Sequence, residues 1–185
     1  LPTPGAPNTA AGLASVSALR LNEWMADPTS GSDWLELHNT ATQPVPLGGL
    51  YLTDDLARPD QSPIAPLSFL GTGPDAYRRF VADGSPGAGA DHVSFALRRG
   101  GEALGLFSPS GMMLDGLEFG LQATGVSQGR FPDGAPAFTD FTLTASPGEA
   151  NHLPLAAPVI NEVLTHTDPP LEDALELLNP TASPI

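Results

Sequence analysis

The clearest hydrophobic pattern in this chain has a two-residue period. From Trp34 to His38 the apolar Leu35 and Leu37 alternate with Trp34, Glu36 and His38, as in a strand whose two faces meet different surroundings. Residues 19–26 start another strand, and Asp27-Pro-Thr-Ser-Gly-Ser-Asp33 between them is all turn chemistry. Residues 19–39 therefore read as a hairpin with a long loop. Short strand-like segments follow at 45–47, 50–53, 77–82, 103–108, 112–119 and 138–143, each bounded by Gly, Pro or Asp. Ser108-Pro-Ser-Gly111 joins two of them as a four-residue turn. Residues 54–74 and 83–92 read as irregular excursions, and no segment holds a 3.6-residue period over three turns. The pattern predicts an all-β sandwich with Greek-key connections rather than an α/β enzyme fold.

The first hairpin has an echo. Leu19-Arg-Leu-Asn-Glu-Trp-Met and Trp34-Leu-Glu-Leu-His-Asn39 are matched, in the same order, by Pro158-Val-Ile-Asn-Glu-Val-Leu and Ala174-Leu-Glu-Leu-Leu-Asn179. Thr3-Pro-Gly-Ala-Pro-Asn8 is likewise echoed by Ser146-Pro-Gly-Glu-Ala-Asn151. The two closing phrases stand about 130 residues apart, an ordinary domain size and far longer than a solenoid repeat. This spacing divides the chain into the end of a preceding repeat and a linker (1–18), a complete domain (19–151), a linker (152–157) and the start of a following repeat (158–185). A two-stranded hairpin is marginal alone, so the last piece is expected to be poorly ordered or packed on a neighbouring molecule.

Composition narrows the partners. The 21 Pro and 20 Gly suit many turns and short strands. There is no Cys, so disulfides and thiolate metal sites are excluded. There is no Lys, and a net charge of -14 opposes nucleic acid phosphates and anionic lipid, which are bound through clustered cations. No run approaches the ~18 apolar residues that span a bilayer. Nucleic acid and membrane insertion are therefore not expected, whereas divalent cations or neutral ligands suit such a surface.

In order, the chain supplies Asn22-Glu23, Trp34-Leu-Glu36-Leu-His-Asn39, Leu47-Gly-Gly-Leu-Tyr51-Leu-Thr-Asp-Asp55, Leu97-Arg-Arg-Gly-Gly-Glu-Ala-Leu-Gly-Leu106, Gly111-Met-Met-Leu-Asp115, Gly129-Arg-Phe-Pro-Asp-Gly134 and Ser146-Pro-Gly-Glu-Ala-Asn151. Across 19–151 these phrases resemble the lamin tail domain family in its bacterial, secreted, tandem-repeat form. The resemblance implies an immunoglobulin-like β-sandwich without catalytic machinery, carried in a larger exported or cell-surface protein and working by protein or surface contact, neighbouring repeats included. Ser146 stands where the family often has Thr, and the region 54–92 is less patterned.

The residues that carry the resemblance can be read physically. Glu23 and Glu36 lie in consecutive strands and are a candidate acid–base or cation-sharing pair. Alternatively they accept hydrogen bonds from loop amides or pair with Arg20, Arg98 or Arg130, because a buried carboxylate needs such donors. Asn22, Trp34, Asn39, Arg130 and Asp133 complete the motif set; Gly129–Gly134 reads as a tight turn in which Arg130 meets a carboxylate. Asp27, Asp33, Asp54 and Asp55 are the candidate ligands of a weak calcium site, although no Asp-x-Asp-x-Asp-Gly loop is present. The four His are scattered singly, which gives zinc no support, and no Ser lies in a nucleophile elbow. Carbohydrate binding on exposed aromatics is the other alternative, against the reading that Trp24, Trp34 and most Phe fill a sandwich core.

Overall fold

The computed structural model describes residues 12–154, 158–166, 168–170 and 172–180. The chain divides into two units, the first ending at His152 and the second beginning at Leu153. In the first unit the strands are β1 (Leu19–Met25), β2 (Asp33–Asn39), β3 (Val45–Pro46), β4 (Tyr51–Thr53), β5 (Ser62–Pro63), β6 (Phe69–Leu70), β7 (Tyr77–Ala82), β8 (His92–Val93), β9 (Glu102–Phe107), β10 (Met113–Phe119), β11 (Ser127–Arg130) and β12 (Phe138–Phe141). The only helical turns among the described residues are Val16–Ala18 and Gly73–Ala76. The unit is all-β.

Two large sheets and a short two-stranded one, β3 with β6, contribute to the core. One large sheet has six strands in the order β12-β11-β1-β2-β7-β8, antiparallel except for β7 with β8. The other has four, in the order β10-β9-β4-β5. Leu21, Trp24, Leu35, Leu37 and Phe80 of the first sheet meet Leu52, Leu104, Leu106 and Leu117 of the second in one buried cluster. Leu35 and Leu37 point inward, so Trp34, Glu36 and His38 stand on the opposite face of the sheet. That outer face is not left to solvent: Met25, Trp34 and Phe141 are buried on it, and Phe131 meets Phe141 edge to face at 6.4 Å.

Within β1 the pairing with β2 runs Leu21↔Leu37 and then Glu23↔Glu36. Asn22 is thus the extra residue of a β-bulge, and the bulge changes the phase of the strand. Leu21 and Trp24, three positions apart, both face the core as a result. A second bulge, between Met113 and Asp115 of β10, redirects Asp115 in the same way.

Most strands fall where the hydrophobic pattern predicts. The differences are local. Gly129–Gly134 is not a turn throughout: Ser127–Arg130 is a strand between β1 and β12, and the turn begins only at Phe131. The irregular excursions hold β5, β6 and β8, pairs of residues too short to show a period.

The second unit is a hairpin of β13 (Val159–Leu164) and β14 (Ala174–Leu178). It pairs Ile160↔Leu177 and then Glu162↔Glu176, so Asn161 is bulged as Asn22 is. Every residue of both strands is exposed, including Ile160 at 63%, Leu175 at 57% and Leu177 at 62%. Their counterparts Leu21, Leu35 and Leu37 are at 1% or below. The preceding closing phrase, 3–8, lies outside the described residues.

Close approach of β1 and β11 gives the first prediction. A Cβ on Gly129 would lie 2.5 Å from the Asn22 carbonyl oxygen and 3.0 Å from the Glu23 Cα. Backbone cannot move aside as a side chain can, so Gly129→Ala should cost about 1–3 kcal/mol. Thermal unfolding followed by circular dichroism should show a fall of roughly 2–10 °C. Gly87→Ala, which meets nothing within 4 Å, should leave the midpoint unchanged.

Candidate functional site

The motif residues converge on the outer face of the six-stranded sheet. Glu23 and Glu36 are cross-strand neighbours in β1 and β2, at 1% and 0% exposure. Two carboxylates directly opposite repel, and burial removes the water that would screen them. Donors from two distant segments, together with the neighbouring Asn22, answer this. Glu23 Oε1 accepts from Ser127 Oγ at 2.5 Å, and its two oxygens accept from the Ser146 amide at 3.2–3.3 Å, with Ser146 Oγ also donating to Oε2 at 3.3 Å. Glu36 accepts from Asn22 Nδ2 at 3.1 Å and from the Gly148 amide at 2.5 Å.

Asn22 joins the pair to a third carboxylate. Its Nδ2 also donates to Asp133 at 2.9 Å, and its Oδ1 accepts from the Gly134 amide at 3.0 Å. Asp133 further accepts from Tyr77 Oη at 2.9 Å and the Asn151 amide at 3.0 Å. Asn151 Nδ2 donates to the carbonyls of Arg130, at 2.8 Å, and of Asn22, at 3.4 Å. The bulged Asn22, the turn after β11 and the closing phrase 146–151 therefore form one polar clasp. Its members come from opposite ends of the domain.

Burial raises the Glu36 carboxyl to about 8, with Glu23 and Asp133 adding to the rise and the Gly148 amide and Asn22 opposing it. Burial also raises Glu23, against the hydrogen bonds from Ser127 and Ser146. His38 stacks on Tyr77 at 4.6 Å, and burial lowers its pKa while Asp133 opposes the shift. Tyr77 is raised by burial and by its hydrogen bond to Asp133.

Arg130 serves a neighbouring joint. Its Nη2 lies 3.1 and 3.2 Å from the two oxygens of Asp115, its Nε donates to Leu21 O at 2.8 Å, and its Nη1 donates to Ala135 O at 2.7 Å. Asp115 also accepts from the Leu21 amide at 2.8 Å. Of the donors open to Glu23 and Glu36, amides, hydroxyls and the Asn22 side chain are the ones used; Arg98 pairs with Glu102 at 3.8 Å, and Arg20 donates to the carbonyls of Ser17 and Leu19. Asn39 fixes the end of β2 by donating to Gln43 O and Gly71 O. Trp34 packs over the outer face and lines a shallow cleft of about 340 Å³ with Met25 and Pro28.

The calcium candidates are not assembled. Asp27 accepts a hydrogen bond from Thr124 Oγ1 at 2.6 Å and lies 3.2 Å from Arg99 Nε. Asp33 accepts from the Leu97 amide, and burial raises its pKa. Asp55 caps the Ala57 amide, while Asp54 meets Gln61 through its own amide. Among the described residues no group of three acidic or His side chains is placed to hold a metal ion. Of the exposed aromatics, Phe69 lies on β6 and Phe138 on β12, in different sheets. Ser127, Tyr77, Asp133's partners and Asn151 Nδ2 are the parts that sequence spacing does not reveal; the repeated Ser/Thr-Pro-Gly-x-x-Asn phrase is the one signal for the last.

Two predictions follow from this geometry. The unfolded chain releases the Glu36 proton near 4.5, whereas the folded chain holds it until about 8. Between these values the folded state binds more protons, so this group's stabilisation is complete below pH 4.5 and is lost as pH rises toward 8. The stability of the natural chain minus that of Glu36→Gln, from urea unfolding, should decline over that window by up to about 1.4 kcal/mol per pH unit. A flat difference would mean that Glu36 stays ionised. Second, Arg130→Ala removes a buried guanidinium and leaves the half-buried Asp115 without its partner, which should cost about 1.5–3 kcal/mol, against under about 1 kcal/mol for the exposed Arg99→Ala.

Comparison with known protein families, characterised proteins and solved structures finds no match to this chain.

Proposed function

We propose that the chain is a non-catalytic structural module, an immunoglobulin-like sandwich of the lamin tail domain type with Greek-key connections, repeated in tandem within a larger exported bacterial protein. Its work is spacing, adhesion or protein contact outside the cell, with neighbouring repeats of the same protein among its partners. One observation carries this reading: the entry hairpin occurs twice with one register and one bulge. Even the side-chain contact is repeated, Asn22 with Glu36 and Asn161 with Glu176. The second hairpin offers core-type residues and an unclosed carboxylate pair, which suits the start of another copy.

The state of the carboxylates supports a structural role. Glu23 and Glu36 are buried and their oxygens engaged by hydrogen bonds from the protein itself, which leaves no approach for a substrate. The net charge of -14 without Lys favours protein partners over nucleic acid. Among the described residues no helix is long and apolar enough to cross a membrane.

The clasp also suits a series under tension. Chain entry through β1 and exit through 146–151 are bonded to each other, through Ser146 with Glu23 and Asn151 with Asn22 O. A pull along the polypeptide is therefore applied directly across the clasp. Single-molecule stretching of residues 13–153 should give one cooperative rupture with a length gain on the order of 450 Å. Asn151→Ala should lower the rupture force measurably. Extension without a force peak, or β1–β2 peeling off ahead of the rest, would overturn the spacer reading.

A further inference from the structure

The two sheets part at one side of the sandwich, where β10 ends one sheet and β12 ends the other. A cleft of about 230 Å³ opens there, with Trp24 at its base and Phe119 and Phe138 on its walls. Trp24 meets Phe138 edge-on at 5.2 Å and Phe119 at 5.9 Å with a tilt of 46°. Phe138 is 45% exposed, so this aromatic group is not simply core.

Three features give the cleft a chemical preference. Two exposed carboxylates, Glu118 and Asp140, line it. The Glu118 side chain has no ion pair or hydrogen bond among the described residues, and that of Asp140 accepts one, from Gln128 Nε2 at 2.9 Å. Trp24 is 1% exposed, yet its indole N–H has no acceptor among the described residues. A buried donor without an acceptor carries a standing cost. The Phe138 ring already serves as a cation acceptor, since the Arg130 guanidinium lies 5.0 Å from its centroid. Arg130 does not repel a second cation strongly, because Asp115 neutralises it at 3.1 Å.

We infer that this cleft takes a lysine side chain presented by an extended strand of a partner protein. Aromatic walls attract an ammonium through their ring faces, the carboxylates complete its charge, and a net charge of -14 draws it in. The volume falls below the roughly 300 Å³ at which small-molecule pockets begin, which matches one side chain. β12 pairs only with β11, so its outer edge is open to strand addition, which sets a side chain from every second residue against the cleft. The chain has no Lys of its own. These 185 residues therefore do not themselves supply an ammonium for the cleft.

The test uses the whole 185-residue chain and a short peptide of alternating valine and lysine. The indole N–H signal of Trp24 is followed by NMR against that of Trp34. Saturable movement of the Trp24 signal at submillimolar peptide is expected, weakened about tenfold or more by Glu118→Gln with Asp140→Asn and about fivefold by Phe138→Ala. Near-ultraviolet circular dichroism checks that these exposed substitutions leave the fold intact. The inference is overturned if Trp24 does not respond, if a glutamate-for-lysine peptide binds equally, or if Asp60→Asn with Glu149→Gln weakens binding as much. The last result would assign the attraction to overall charge. Equal affinity for butylammonium would overturn presentation on a strand.

Discussion

The domain depends on burying two carboxylates that face each other across a strand pair. Glu23 and Glu36 occupy the middle of the entry hairpin, on the face away from the core. Left in contact with apolar neighbours alone, such a pair would push the hairpin apart. The hydroxyl of Ser127, the amides of Ser146 and Gly148 and the side chain of Asn22 offset part of that penalty. Their positions dictate where the rest of the chain must run. β11 must lie beside β1 to bring Ser127, and the segment after β12 must return over the sheet to bring 146–151.

The bulges make this geometry available. At Asn22 one extra residue swings the amide into reach of both Glu36 and Asp133 while Leu21 and Trp24 keep their places in the core. At Leu114 the same device aims Asp115 toward Arg130 and the Leu21 amide. Each bulge thus lets one strand serve a dry face and a polar joint together. The sheet is covered on both sides, by the second sheet inside and by a thinner layer outside. Only the outer layer is polar at its centre.

Legibility in the sequence follows from how local each cause is. Leu35 and Leu37 declare β2 because alternation is a property of neighbouring residues. The motif phrases mark Asn22, Glu23, Glu36, Arg130 and Asp133, but not what they touch, since Ser127 is 104 positions from Glu23 and Ser146 is 123. Ser127-Gln-Gly-Arg lacks β-branched or aromatic residues and is a strand because β1 and β12 enclose it, a tertiary cause that propensity does not record. Asp27 and Asp33 read as free loop ligands, whereas Arg99, Thr124 and the Leu97 amide, all distant in sequence, already engage them.

That the clasp is closed by residues 146–151 has a consequence for synthesis. As the chain leaves the ribosome, β1 and β2 emerge more than a hundred residues before the phrase that completes their hydrogen bonds. Until then Glu23 and Glu36 remain in water, ionised and mutually repelling. A growing chain thus carries its own deterrent against premature association of the exposed hairpin with other nascent hairpins. The deterrent is withdrawn only when the last stretch of the domain has been made.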